Sequence, residues 1–210
     1  KSGVSLYGQR ANSNIQDYGG NILQSNVLLG ILTYDPTVPA YNADGSFGRP
    51  PGGRGDNPLA NLVARQNEVV QDRLNGNAYL EIKPIQDLTA RVNGGVEIAH
   101  YFTGKYLPKS TYQGGIDNGV ASTIDYSSTR QLFDATLTYA KTFNDVHSFS
   151  VLGGYAYEKT NLSYRSLSVK GFSTDLFSFN NLDAASTITG TNYYKQESLL
   201  ISFFGRLNYG

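Results

Sequence analysis

Cysteine, methionine and tryptophan are all absent from the 210 residues. Without cysteine there can be no disulfide, thiolate nucleophile or thiolate metal site, an absence that fits an envelope protein. No apolar stretch approaches the roughly 18 residues of a membrane-spanning helix, so no such helix is encoded. Neither sign of charge is in excess, with 17 Lys and Arg against 17 Asp and Glu. There is no charge block either, which removes the electrostatic footprint of a nucleic-acid binder and any acidic or basic tail. No charged-then-apolar leader opens the chain. It begins at Lys1 in mid-pattern and ends on a strong strand at Tyr209-Gly210, so the expectation is an internal piece of a longer polypeptide.

What is abundant is glycine (23), tyrosine (16) and phenylalanine (10), with only 16% charged residues. That mixture favours β structure with many turns. The organising stretch is Arg73 to Tyr101. Leu74, Gly76, Ala78, Leu80 and Ile82 alternate with Asn75, Asn77, Tyr79, Glu81 and Lys83. After a break at Pro84-Ile85-Gln86-Asp87, Ala90, Val92, Gly94, Val96 and Ile98 alternate with Thr89, Arg91, Asn93, Gly95 and Glu97. Period two through both arms of a tight connection predicts an antiparallel hairpin with one apolar and one polar face. A soluble sandwich turns the apolar face to a core; an outer-membrane barrel turns it to lipid.

The pattern places strands near 3–9, 69–83, 88–103, 129–142, 147–159 and 196–209, with long loops over 10–68, 104–128 and 160–195. The strands at 69–83 and 88–103 exceed the roughly 9–11 residues of a tilted bilayer crossing. The connections also alternate, two short and three long, as outer-membrane barrels arrange periplasmic turns and extracellular loops. Tyr79, Tyr101, Tyr139, Tyr157 and Tyr209 fall near strand ends, where an aromatic girdle is expected. The fold class is therefore all-β, an antiparallel up-and-down transmembrane barrel segment. Asn75, Asn77, Tyr79, Glu81, Arg91, Asn93, Glu97, Asp134 and Arg206 are expected to face the lumen.

Inside the first long loop, Leu23, Val27, Leu28 and Ile31 recur at helical spacing, which predicts a short helix over Asn21 to Thr33 that packs the loop on the rim or meets a partner. Asn42-Ala43-Asp44-Gly45 reads as a turn. Gly48 to Asp56 is the most flexible stretch and contains Arg54-Gly55-Asp56, the one feature suggesting a surface adhesin; a soluble β-sandwich lectin is the other alternative. Those glycines lack the following Gly-Lys-Ser/Thr of a phosphate cradle.

Chemistry is sparse. His100 and His147 stand alone near strand ends, which assigns them to rim or girdle rather than to metal. No nucleophile motif occurs. Inward carboxylates Glu81, Glu97, Asp134 and Glu158 could pair for glycoside hydrolysis, but in a lumen such groups are solvated or bridged. The reading is that the chain is not an enzyme and calls for no cofactor. For cargo, aromatic rings and amides in the loops are the candidates: Tyr106, Tyr112, Phe172, Phe177, Asn180, Asn181, Tyr193 and Tyr194.

Several pieces, in this order and spacing, resemble a known family: Gly20-Asn21-Ile22-Leu23-Gln24-Ser25, Pro39-Ala40-Tyr41-Asn42-Ala43-Asp44-Gly45-Ser46, Asn57-Pro58-Leu59-Ala60, the run from Arg73 to Glu81, and Ser198 to Tyr209. They are similar to the SusC/RagA-like branch of TonB-dependent outer-membrane transporters over nearly the whole chain. The resemblance implies about six strands of a larger, 22-stranded barrel in the Gram-negative outer membrane, with its loops toward the cell exterior. It implies import of oligosaccharides or peptides under a SusD-like surface lipoprotein. A TonB complex would act through a plug domain that this chain does not contain.

Overall fold

A computed structural model describes residues 1–15, 27–52, 55–144 and 146–210. Six strands form one antiparallel sheet in chain order: β1 (Ser2–Asn14), β2 (Gln66–Ile85), β3 (Leu88–Leu107), β4 (Val120–Phe143), β5 (His147–Phe172) and β6 (Ala185–Tyr209). Each strand pairs with its sequence neighbour, which is an up-and-down meander. Short helices α1 (Val27–Thr33), α2 (Pro58–Val63) and α3 (Tyr112–Ile116) lie in the connections, and two single 3₁₀ turns, Ser178–Asn180 and Leu182–Ala184, precede β6.

The register explains why alternation was so clear. Leu6 opposes Gly76, Gly76 opposes Val96, and Leu80 opposes Val92. Val92 in turn opposes Ala135, which faces Tyr155, which faces Phe203. Because side chains alternate with period two, this pairing puts every apolar row of the six strands on one face. The band covers residues 74–82 of β2 and 90–98 of β3, about nine residues each, close to the roughly 9–11 of a tilted crossing. Cross-strand ring contacts hold it together: Phe133 to Tyr155 at 6.4 Å and Tyr155 to Phe203 at 5.3 Å between centroids, pairs of a kind that contribute roughly 0.2–1 kcal/mol each.

No second layer covers the band among the described residues. Leu74, Leu80, Val92 and Ile98 remain between 39% and 49% exposed, and Phe203 is 81% exposed. All six strands belong to one sheet, so the sandwich alternative has no opposing sheet to form it.

The strands run further than expected. Alternation of apolar residues fades above the band, and the expected boundaries stopped there. Pairing nevertheless continues, from Ser128↔Leu162 to Val120↔Lys170 between β4 and β5 and up to Phe172↔Ala185 between β5 and β6. Threonine, tyrosine and valine favour a pleated sheet even when neither face is greasy, so polar residues extend the same ladder. The expected loops 104–128 and 160–195 shrink accordingly to 108–119 and 173–184. The break expected at Pro84 to Asp87 is also shorter: β2 continues through an irregularity to Ile85, and only Gln86 and Asp87 form the turn, with Asp87 at φ 71°. At the same end, residues 144–146 join β4 to β5, with Asn144 at φ 53°. Asp and Asn tolerate this left-handed conformation better than other non-glycine residues.

Of the expected loop helix, residues 16–26, with Leu23, lie outside the described residues. α1 begins at Val27. Its stripe is split: Val27 is buried, whereas Leu28 and Ile31 are exposed. The turn at Asn42 to Gly45 is present, with the Asp44 carboxylate accepting from the Ser46 amide at 3.0 Å and Tyr41 stacked on Phe47 at 5.4 Å. Those Ser46 hydrogen bonds hold the Asp44 carboxyl below its ordinary value.

The small true core sits at the end carrying the long connections, on the same face as the apolar band but beyond it. Tyr106, Ala121, Val169, Phe172 and Phe179 form it, flanked by Phe102, Leu167 and Leu182. Here the β5–β6 connection folds back over the strand tops. Phe179 lies on Gly104, where a Cβ would collide with its ring.

Candidate functional site

The polar face is the candidate site, and register builds it. Asn75 opposes Glu97, which opposes Arg130. Tyr79 opposes Asn93, which opposes Asp134, and Glu81 opposes Arg91. Arg206 of β6 opposes Leu152 of β5 on this same face. All nine residues expected to face a lumen therefore share one side of the sheet.

Several polar side chains of this face are tied to one another. Arg91 lies over the Tyr79 ring at 4.6 Å and donates from Nε to Asn93 Oδ1 at 3.0 Å. The Asn93 amide donates in turn to Asp134. Arg130 makes a two-pronged pair with Glu158, at 2.7 and 2.9 Å. Such a fork is geometrically specific. Two interruptions of polarity have local explanations: Phe204 lies flat on Gly154, and Leu132 and Leu200 flank Glu158 in one row. Among the described residues, no three His, Asp or Glu side chains converge as a metal site would require.

At the end carrying the long connections, hydrogen bonds fix the loops to one another. Asp175 accepts from the Tyr106 hydroxyl at 2.6 Å and from the Lys109 amide at 3.1 Å. Thr111 caps α3 by accepting from the Gly114 amide at 3.2 Å. Lys170 Nζ reaches Asp117 Oδ1 at 2.8 Å, and this contact, with a second bond from Gln113, holds the Asp117 carboxyl below its ordinary value. Asp56 is only 7% exposed and accepts from the Tyr112 amide. Burial pushes its carboxyl up, against that hydrogen bond and the nearby Arg65 and Arg49. The adhesin alternative loses its feature here: Arg54 lies outside the described residues, and Asp56 is turned into the loop rather than presented.

The candidate cargo contacts separate into groups. Tyr106, 1% exposed, and Phe172 are buried in the core cluster, so they hold loops together instead of facing out. Tyr112 is half-buried at the start of α3, while Phe177, Asn180 and Asn181 are exposed around the first 3₁₀ turn. Tyr193 and Tyr194 are not in a loop at all. They lie in β6 and point to opposite faces, Tyr193 under Arg165 at 5.6 Å and Tyr194 stacked on Tyr164 at 5.1 Å.

The girdle expectation also divides by parity. Tyr139, Tyr157 and Tyr209 are on the apolar face, Tyr209 hydrogen-bonded to His147 at 2.7 Å. Tyr79 and Tyr101 are on the polar face, so neither can meet lipid in the same arrangement. His100 pairs with Asp125 at 3.0 Å on the apolar side, above the band.

Sequence reasoning missed Tyr126 and Tyr164. Both sit in stretches assigned to loops, where no face could be given to them. In the sheet, Tyr101 opposes Tyr126, Tyr126 opposes Tyr164, and Tyr164 opposes Tyr194.

No family model matches the chain. Over its full length it is 29% identical to TonB-dependent receptor P3 of Formosa agariphila, covering 21% of that protein. Over 90% of its length it is 27% identical to TonB-dependent receptor P39 of the same organism, covering 18% of it. Among solved structures, all of the chain superposes on 24% of a chain in the RagAB peptide transporter, with TM-score 0.76 and 22% identity. The RagAB peptide importer in its open-open state gives TM-score 0.72 and 25% identity over the same coverage. The chain thus spans about a fifth of the length of the curated relatives it matches.

Proposed function

We propose, for a chain that resembles SusC/RagA-like TonB-dependent transporters along its whole length, that these residues are wall and rim of an outer-membrane importer. The single observation that carries this is the uncovered apolar band, about one bilayer crossing tall, backed by a polar face. Hydrocarbon is the solvent that such a band fits, and water fits the other side. The nine polar-face residues from Asn75 to Arg206 line the passage. The long connections face the cell exterior, where Tyr112, Phe177, Asn180 and Asn181 help grip an oligosaccharide or peptide and seat a SusD-like lipoprotein. The work of import belongs to a TonB complex acting on a plug inside the passage; the wall encloses and does no chemistry. β1 and β6 need further strands beside them, because hydrocarbon cannot satisfy the backbone groups of an open edge.

The test adds one thiol to a stretch that has none, with cysteines elsewhere in the receptor replaced by serine. In outer-membrane vesicles carrying the complete receptor, Asn77→Cys should react with a membrane-impermeant maleimide and Leu80→Cys should be shielded. Labelling of Leu80→Cys with protection of Asn77→Cys would invert the faces and end the reading.

A further inference from the structure

We propose that Tyr101, Tyr126, Tyr164 and Tyr194 form a stacking shelf for a neutral oligosaccharide on the passage side of the wall. The inference rests on the importer reading above, which makes the polar face a passage lining. Four adjacent strands each contribute one tyrosine at directly opposed positions. With neighbouring strands about 4.8 Å apart, the row runs roughly 14 Å across the sheet, above the apolar band. The adjoining row on one side is Ala99, Ser128, Leu162 and Gln196, and on the other Thr103, Ile124, Ser166 and Asn192. None of these carries a ring, so the tyrosines stand above their surroundings.

The rings meet in two pairs, Tyr101 with Tyr126 edge-on at 5.7 Å and Tyr164 with Tyr194 stacked at 5.1 Å. Tyr194 is 44% exposed and the others are half-buried. Among the described residues, the hydroxyls of Tyr126, Tyr164 and Tyr194 have no hydrogen-bond partner. Beside the shelf, Arg73 lies over the Tyr101 ring at 5.3 Å and donates to its hydroxyl. It is engaged, so it does not single out a carboxylate.

Position in the sheet bears on the cargo chemistry. A peptide that binds by strand addition needs a free strand edge. Here β3, β4 and β5 have a neighbour on both sides, and their backbone groups are consumed by the ladder. What remains is the ring edges and the faces that the two ring pairs leave uncovered, free hydroxyls and the amides of Gln71, Asn192 and Gln196. Pyranose rings offer the complement, with apolar C–H faces for the rings and an equatorial rim of hydroxyls for the amides.

The test uses the complete receptor in detergent, titrated with maltoheptaose, cellohexaose, laminarihexaose and xylohexaose, with a mixed oligopeptide library as the contrasting probe. Wild type should bind at least one of the glycans. Tyr126→Ala and Tyr164→Ala should each weaken it about tenfold, equivalent to about 1.4 kcal/mol, while Tyr126→Phe and Tyr164→Phe keep the ring and most of the affinity. Tyr164→Leu retains bulk where alanine does not fold, and should still lose binding; heat-modifiable gel mobility reports a folded barrel in each case. A receptor that imports cargo but binds none of the four glycans overturns the proposal. So do alanine variants that bind like wild type, or that lose oligopeptides instead. Failure of the wild-type receptor to insert in the outer membrane or import any cargo would instead sink the importer reading itself.

Discussion

Phe179 is the residue on which the β5–β6 connection depends. Its ring packs at 6.3 Å from that of Phe102 and rests on Gly104. Phe179→Ala removes a nearly fully buried ring, a change that costs about 3–5 kcal/mol in well-packed sites. Gly104→Val should reach the same end by pushing the ring off. Both variants should make residues 173–184 sensitive to added protease on intact cells while the barrel stays heat-modifiable; continued resistance in both would refute the latch. Asp117 gives the neighbouring loop a pH dependence of known sign. Its carboxyl is held below the ordinary 3.8 chiefly by the hydrogen bond from Lys170. The stabilisation is therefore fully present above that ordinary value and is lost as pH falls through the lower folded one. Hydrogen exchange at the Gly171 and Phe172 amides, which donate to the Asp117 and Asn118 carbonyls at 3.0 and 2.7 Å, should stay slow at neutral pH and accelerate only in that acid range. Asp117→Asn should exchange faster already at neutral pH, with the acid step gone.

At the scale of the strand, parity governs what a substitution does. Ala78 lies at the middle of the band on β2, on the apolar face, while Asn77, its neighbour, lies on the polar face. Ala78→Arg should therefore cost about 2–4 kcal/mol of barrel stability, the range for a cation at mid-bilayer on the lipid side. Asn77→Arg should change it little, as urea titration in lipid vesicles would measure. The same parity explains what could be read before any coordinates. Where one face was apolar and the other polar, as from Leu74 to Ile98, strand, face and partner were all legible. Above the band apolar residues no longer recur at every second position, so those parts of β4 and β5 read as loops although their hydrogen-bonded ladder continues. Tyr126 and Tyr164 were lost with those stretches. Tyr106 and Phe172 were read as cargo rings because nothing in one dimension reveals that two distant segments bury each other. The tight turns were expected, but their lengths were not, since the left-handed Asp87 and Asn144 close them with fewer residues than the polar runs suggested.

For the molecule as a whole, the six strands make a curtain with two kinds of edge. The turn end has connections of two and three residues; the opposite end carries three long ones, two of them bound together through Asp175, Lys109 and Tyr106. Expressed alone, these 210 residues leave the outer edges of β1 and β6 bare and the apolar band wet. The expected outcome is insolubility in plain buffer and association in detergent, checked by light scattering; a monodisperse monomer without detergent would contradict lipid exposure of the band.

β5 and β6 are 26 and 25 residues long, yet the greasy belt accounts for about nine residues of each. At about 3.3 Å per residue, the 17 and 16 residues left add some 55 Å of strand, most of it standing clear of the belt like a parapet. On the importer reading proposed above, whatever alights on its crest is still far from the bilayer, and must descend a watered shaft at least as deep as the hydrocarbon layer before it reaches the level of the lipid tails. A long, flexible guest can be held along its length on that descent, so the height of the masonry, more than the width of its mouth, sets how much of the guest is gripped at once.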